Sequence, residues 1–176
     1  MFDSIKLKIA HLIVNKQAEH NYIEKRLFKD FLKGSFKFLI LMPISEVSFN
    51  KALVVLNFFE RLNKEIVVFT QDFRINLIPQ KYRSEAVDFS LNDINKLKLP
   101  SQRLREKFVR SEFDIVMDLE KEENLFNSLL VCYVNAPVKI GFKKNNSDKF
   151  YNLQIDNIED NPEIFYKNLL NFLQMF

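Results

Sequence analysis

Apolar residues along the chain fall into six short runs, separated by stretches in which they recur every three or four positions. The runs are 36–42 (FKFLILM), 65–70 (EIVVFT), 86–90 (AVDFS), 113–119 (FDIVMDL), 138–142 (VKIGF) and 150–155 (FYNLQI). Each is short, rich in β-branched and aromatic residues, and bounded by polar or turn residues, as buried strands are. Between them the spacing turns helical. Ala52, Val55, Leu56 and Phe59 place one helix over 47–62, with Ser45 as its N-cap and Ser48 as a neighbouring option. Ser101 caps a second helix over 102–111. A third opens at Glu122, Glu123 and Asn124, carries Leu125, Leu129, Leu130 and Tyr133, and is stopped by Asn135-Ala136-Pro137. Pro162 sits in the first turn of a last helix that carries Ile164, Phe165, Leu169, Leu170, Phe172 and Leu173.

The stretch 113–142 organises this pattern. Strand, helix and strand within about 30 residues form a βαβ unit, with parallel pairing and a right-handed crossover. Repeated along the chain, the alternation predicts an α/β domain over 35–176, an open, mainly parallel Rossmann-like sheet with helices on both faces. The expected strand order is 3-2-1-4-5-6, with a crevice where strands 1 and 4 diverge. Pro43, Ser45, Glu46, Gln71, Asp118, Glu120 and Lys121 follow the strand ends and are the candidate ligand-binding residues.

Residues 1–34 precede this domain as a helical arm. Phe2, Ile5, Ile9, Leu12, Ile13, Ile23, Leu27 and Phe31 recur at helical spacing, Gly34 supplies a stop, and a break near 15–20 is allowed. Three placements compete: packing on the domain's own sheet, a dimerisation arm giving a homodimer, and peripheral contact with a membrane surface. A continuous helix of about 30 residues spans about 45 Å, more than such a domain is wide, so the arm is expected to fold back or to meet another chain.

Charge and composition narrow the chemistry. The net charge of +3 lies wholly in residues 1–33, with seven basic and four acidic residues; the remainder holds 19 of each, so no nucleic-acid footprint is expected. The basic helix with Arg103, Arg105, Lys107 and Arg110 reads as a solvated face. Only two glycines, Gly34 and Gly141, are present, so no glycine-rich phosphate loop can be written and no nucleotide cofactor is expected. One cysteine, Cys132, excludes a disulfide framework and reads as a buried structural residue; His11 and His20 lack metal-ligand spacing. No metal is expected. Without a signal peptide or a run of about 18 apolar residues, the expected place is the cytoplasm, with no transmembrane segment. The 19 phenylalanines with no tryptophan are read as compositional background.

Phe113-Asp-Ile-Val-Met-Asp-Leu-Glu120 and Asn135-Ala-Pro-Val-Lys-Ile-Gly-Phe142 together resemble the N-terminal half of bacterial heptosyltransferases, glycosyltransferase family nine. That family has a strand like "YDLVIDLQG", a helix, then "GAP-x-x-IGF". The similarity extends over about residues 36–155, and the family's "R-x-x-x-IGDVL" turn falls on 40–48. The resemblance puts the family's catalytic aspartate, the presumed base at the acceptor hydroxyl, on Glu46, its glycine on Ser45 and its arginine on Ile40. Glutamate carries its carboxylate about an ångström further out, and catalysis is sensitive to such a displacement. The family's second domain, which holds the nucleotide-sugar, has no counterpart in the sequence. The expectation is therefore a non-catalytic, single-domain relative acting in binding or assembly. The competing reading is a glycosyltransferase-like enzyme for envelope sugars that uses Glu46 as base and takes its donor domain from another chain.

Overall fold

The computed structural model describes residues 2–19, 34–156 and 159–175, except the Phe2 side chain. Six strands form one sheet: β1 (Lys37–Leu41), β2 (Glu65–Gln71), β3 (Val87–Phe89), β4 (Ile115–Asp118), β5 (Val138–Phe142) and β6 (Leu153–Ile155). The helices are α1 (Phe2–Glu19), α2 (Glu46–Glu60), α3 (Gln80–Arg83), α4 (Gln102–Val109), α5 (Leu125–Tyr133) and α6 (Pro162–Leu173). The strand order is β3-β2-β1-β4-β5-β6 and every pairing is parallel, as expected from the sequence. β1 lies at the centre, Leu41 facing Phe69 of β2 and Asp118 of β4.

A parallel sheet needs both faces covered, and alternate residues of β1 serve different layers. Phe38 and Ile40 pack under α2 and α6, with Phe49, Ala52, Val55, Leu56, Phe59, Phe165 and Leu169. Leu39 and Leu41 pack on the other face with Leu104 and Phe108 of α4 and Leu129 and Leu130 of α5. Helix starts agree with the capping chemistry. The Ser45 Oγ accepts from the Ser48 N–H at 3.1 Å, and Asn161 caps the proline-started α6. α5 begins one turn later than its acidic residues suggest, because Asn124 is the cap: its Oδ1 accepts from Phe126 and Asn127 N–H groups. β6 starts at Leu153, after a short 3-10 turn at Ser147–Lys149.

Over its described part the arm packs on its own domain: α1 lies against α5 and the Ser147–Lys149 turn. The buried face is Ala10, Val14 and Ala18, at i, i+4 and i+8. Of the stripe seen in the sequence, Ile5, Ile9, Leu12 and Ile13 face outward, 51%, 42%, 69% and 40% exposed. Small side chains let two helices approach closely, and that contact outweighed the burial of larger residues. Ile23, Leu27, Phe31 and His20 lie outside the described residues. No helix among the described residues is long and apolar enough to cross a membrane.

Gly141 in β5 is fixed by close approach. A Cβ built there would sit 2.6 Å from the ring of Tyr151, which is itself buried. Gly141→Ala is expected to cost about 1–3 kcal/mol by overpacking, read as a lower urea midpoint at an unchanged slope.

Candidate functional site

The C-terminal ends of β1 and β4 meet where the sheet order reverses, and the sequence places its carboxylates there. Asp118 ends β4 with its side chain fully buried and wired to four donors. Oδ1 accepts from the Asn127 amide at 2.9 Å and the Glu120 N–H at 3.1 Å. Oδ2 accepts from the Tyr151 hydroxyl at 2.6 Å and Lys144 Nζ at 3.4 Å. The Lys144–Asp118 pair is itself buried, at 7% and 0% side-chain exposure. Burial first, and Asp118 second, push the Tyr151 hydroxyl well above its usual range, so it stays protonated as a donor.

Glu120 is also buried, and it closes the crevice from the β4 side. Its Oε2 accepts from the Ile44 N–H at 3.0 Å and Oε1 from the Glu122 N–H at 3.3 Å, tying the turn after β4 to the turn after β1. Burial raises its carboxyl above the ordinary value; the Ile44 N–H opposes this and Asp118 adds to it. Tyr166 of α6 donates to the Leu119 carbonyl at 2.8 Å between the two carboxylates. Lys121 turns away, pairing with Asp160 at 2.8 Å and lying over the Phe165 ring.

Ser45 and Glu46 stand at the exposed first turn of α2. Near them runs Arg74, a residue the sequence reading did not single out. It is 7% exposed, donates from Nη1 to the Pro43 carbonyl at 3.0 Å, and lies over the rings of Phe49 and Phe73. Burial lowers its pKa and Glu46 raises it. Gln71 is apart from the carboxylates, at the end of β2, in the wall of a cavity of about 490 Å³ shared with Asp72, Phe73, Phe89, Ser90, Leu91, Asn92 and Ile94. So the structure joins Asp118 to Glu120, places Ser45 and Glu46 beside the turn Glu120 holds, and separates Gln71 and Lys121 from them.

Two further charged residues are spent on packing. Asp93, buried, accepts two bonds from Arg103 at 2.7 and 2.6 Å and completes a capping box with Ser90. The Arg103 contact is the main reason its carboxyl is lowered. Lys139 of β5 is buried and donates to the Val131 carbonyl at 2.9 Å under α5. Burial lowers it to about 8, while burial raises the neighbouring Cys132 thiol to about 12, which fits an inert, structural cysteine. Among the described residues no group of three His, Cys, Asp or Glu side chains is placed to hold a metal ion.

The class so defined is a single-sheet parallel α/β domain whose switch-point carboxylates are bound up in its own hydrogen bonds. The chain belongs to the family described as "Family of unknown function (DUF6913)", which it matches over residues 6–176. No curated protein and no solved structure matches it.

Two measurements test these assignments. Asp118→Asn turns an amide toward donors and breaks a buried ion pair, so it is expected to cost about 3–5 kcal/mol in urea unfolding; a near-neutral result would mean the cluster is not structural. Lys139 gives a pH signature. Its native pKa is about 8 against an ordinary 10.5, so the unfolded chain binds more protons in that interval and stability rises with pH. Cys132 acts in the opposite sense above its ordinary value of 9, which leaves pH 8 to 9 as the window. A gain of about 1 kcal/mol is expected across it, lost in Lys139→Met.

Proposed function

We propose that the chain is a non-catalytic binding and assembly protein, built on a domain related to the N-terminal half of heptosyltransferases, and that it works in the cytoplasm as a homodimer joined through α1. The observation that carries this reading is the outward face of α1. Ile5, Ile9, Leu12 and Ile13 form one apolar strip in water, while the opposite face is already packed. Burying each such side chain is worth about 1.5–3 kcal/mol, so four together favour a covered state strongly. A second copy suits this strip better than a membrane surface. An interfacial helix keeps a broad basic face in water opposite its apolar one. In α1 that opposite position is taken by Ala10, Val14 and Ala18 on α5.

The non-catalytic part rests on the crevice. Asp118 and Glu120 have their oxygens occupied by donors of the same chain, and Glu120 fastens the turn beside Glu46. Glu46 itself is exposed at the start of α2, with the buried Arg74 guanidinium as its charged neighbour.

The full chain is expected to sediment at about twice its 21.0 kDa mass at concentrations of tens of micromolar. Ile9→Glu with Leu12→Glu should give a monomer with an unchanged circular dichroism spectrum. A wild-type chain that sediments as a monomer would overturn the dimer. Saturable, micromolar binding of an ADP-sugar, abolished turnover in Glu46→Gln and an unchanged thermal midpoint would together favour the transferase reading.

A further inference from the structure

Gln71, in the lining of the cavity beyond β2 and β3, carries the one buried side-chain polar atom among the described residues that lacks a hydrogen-bond partner, Oε1. Leaving a buried acceptor unpaired costs about 1–3 kcal/mol, and native structures hold few such atoms. Gln71 itself is only half-buried and lines the cavity, so rotation about its own side-chain torsions brings the amide into that space.

The walls say what the amide would meet. Phe73 and Leu91, 68% and 86% exposed, give the cavity's lining large apolar surfaces, and Phe89 in the lining is buried. The Arg74 guanidinium lies 5.3 Å from the Phe73 ring centroid and is itself anchored to the Pro43 carbonyl. Apolar faces that a flat ring can lie against, with an amide carrying an acceptor and a donor side by side, suit a planar nitrogen heterocycle that offers N–H next to a ring nitrogen. Charge restricts the class further. The lining contains one carboxylate, Asp72, and no lysine or arginine. An anionic group brought into this space finds no counter-charge in the wall. The volume, about 490 Å³, is in the range of small-molecule sites and holds such a ring with a substituent.

We propose that this cavity binds an uncharged, N–H-bearing planar heterocycle of nucleobase size, seated against Phe73 and Leu91 and hydrogen-bonded to the Gln71 amide. This site lies on the β2–β3 side of the sheet, apart from both the carboxylate cluster and the α1 strip, and does not depend on the dimer.

Adenosine is a suitable probe, with toluene as an apolar control and AMP as the anionic one, each titrated into isotopically labelled full chain up to about 10 mM. Adenosine is expected to shift the Gln71 side-chain amide signals and the backbone signals of 71–73 and 89–92 saturably. Toluene should leave the Gln71 amide unmoved, and AMP should bind no tighter than adenosine. Gln71→Leu keeps the volume and removes the amide, and is expected to weaken adenosine roughly tenfold. Phe73→Ser, at an exposed position, should weaken it comparably and serves if Gln71→Leu fails to fold. No saturable shift in this region, equal affinity in both variants, or AMP binding roughly tenfold tighter than adenosine would each overturn the proposal.

Discussion

The fully buried carboxylate of Asp118 is the constraint on which the C-terminal side of this sheet depends. Its two oxygens take donors from four separate pieces of chain: the turn after β4, α5, the loop after β5 and the segment before β6. A charge so placed is tolerable only when every lone pair is used, since removing one partner strands the rest in a medium of low dielectric. Those partners fix the direction in which β4, β5 and β6 deliver their loops. Glu120 then transmits the arrangement to β1 through the Ile44 N–H. At the strand-end crevice, where open α/β sheets commonly take ligands, Glu120 thus ties the turn after β4 to the turn after β1.

Much of the scaffold was legible because two periods are hard to confuse when they alternate. The runs at 36–42, 65–70 and 138–142 contain the strands nearly residue for residue, and the strand order followed from the handedness of the crossovers. The placement of the arm stayed open in the sequence because spacing alone does not say which of two apolar stripes is buried. Ala10, Val14 and Ala18 carry less hydrophobic signal than Ile5, Ile9 and Leu12, yet small side chains allow the closer approach to α5. Position at a strand end drew attention to Asp118 and Glu120, which the structure shows buried and hydrogen-bonded. It could not tell a catalytic carboxylate from a tethered one, because the partners Asn127, Lys144 and Tyr151 lie 9 to 33 residues away. Arg74 and Asp93 gave no signal, being charged residues in polar turns whose burial is decided by tertiary contacts. The basic face read as solvated is exposed at all four residues, with Arg103 also tied to Asp93 and Arg105 lying over Tyr133.

The residues that carry the heptosyltransferase resemblance have a local physical reason in this chain. Asp118 must be acidic to gather its donors. Gly141 must lack a side chain because the Tyr151 ring lies where a Cβ would go, and Tyr151 is the residue that donates the shortest bond to Asp118. The aspartate at the end of β4 and the glycine of β5 are thus two halves of one requirement, transmitted through a tyrosine ring. A pattern of this kind can be kept for packing alone.

If the β1–β4 crevice is closed by its own hydrogen bonds, recognition has to be sought where the polar groups are not yet satisfied. On the β4–β5–β6 side they are paired: Lys143 with Asp156, Lys144 with Asp118, and Ser147 with both Gln154 and the Lys144 carbonyl. On the β2–β3 side one is not. Gln71 keeps an unpaired acceptor, and Phe73 and Leu91 stand in water beside it. Arg74 lies between the two regions, held to the turn after β1 by Pro43 and to the cavity wall by Phe73. Phe73 and Pro43 thus share Arg74 as a contact, and Pro43 precedes Ile44, whose N–H Glu120 holds from the β4 side.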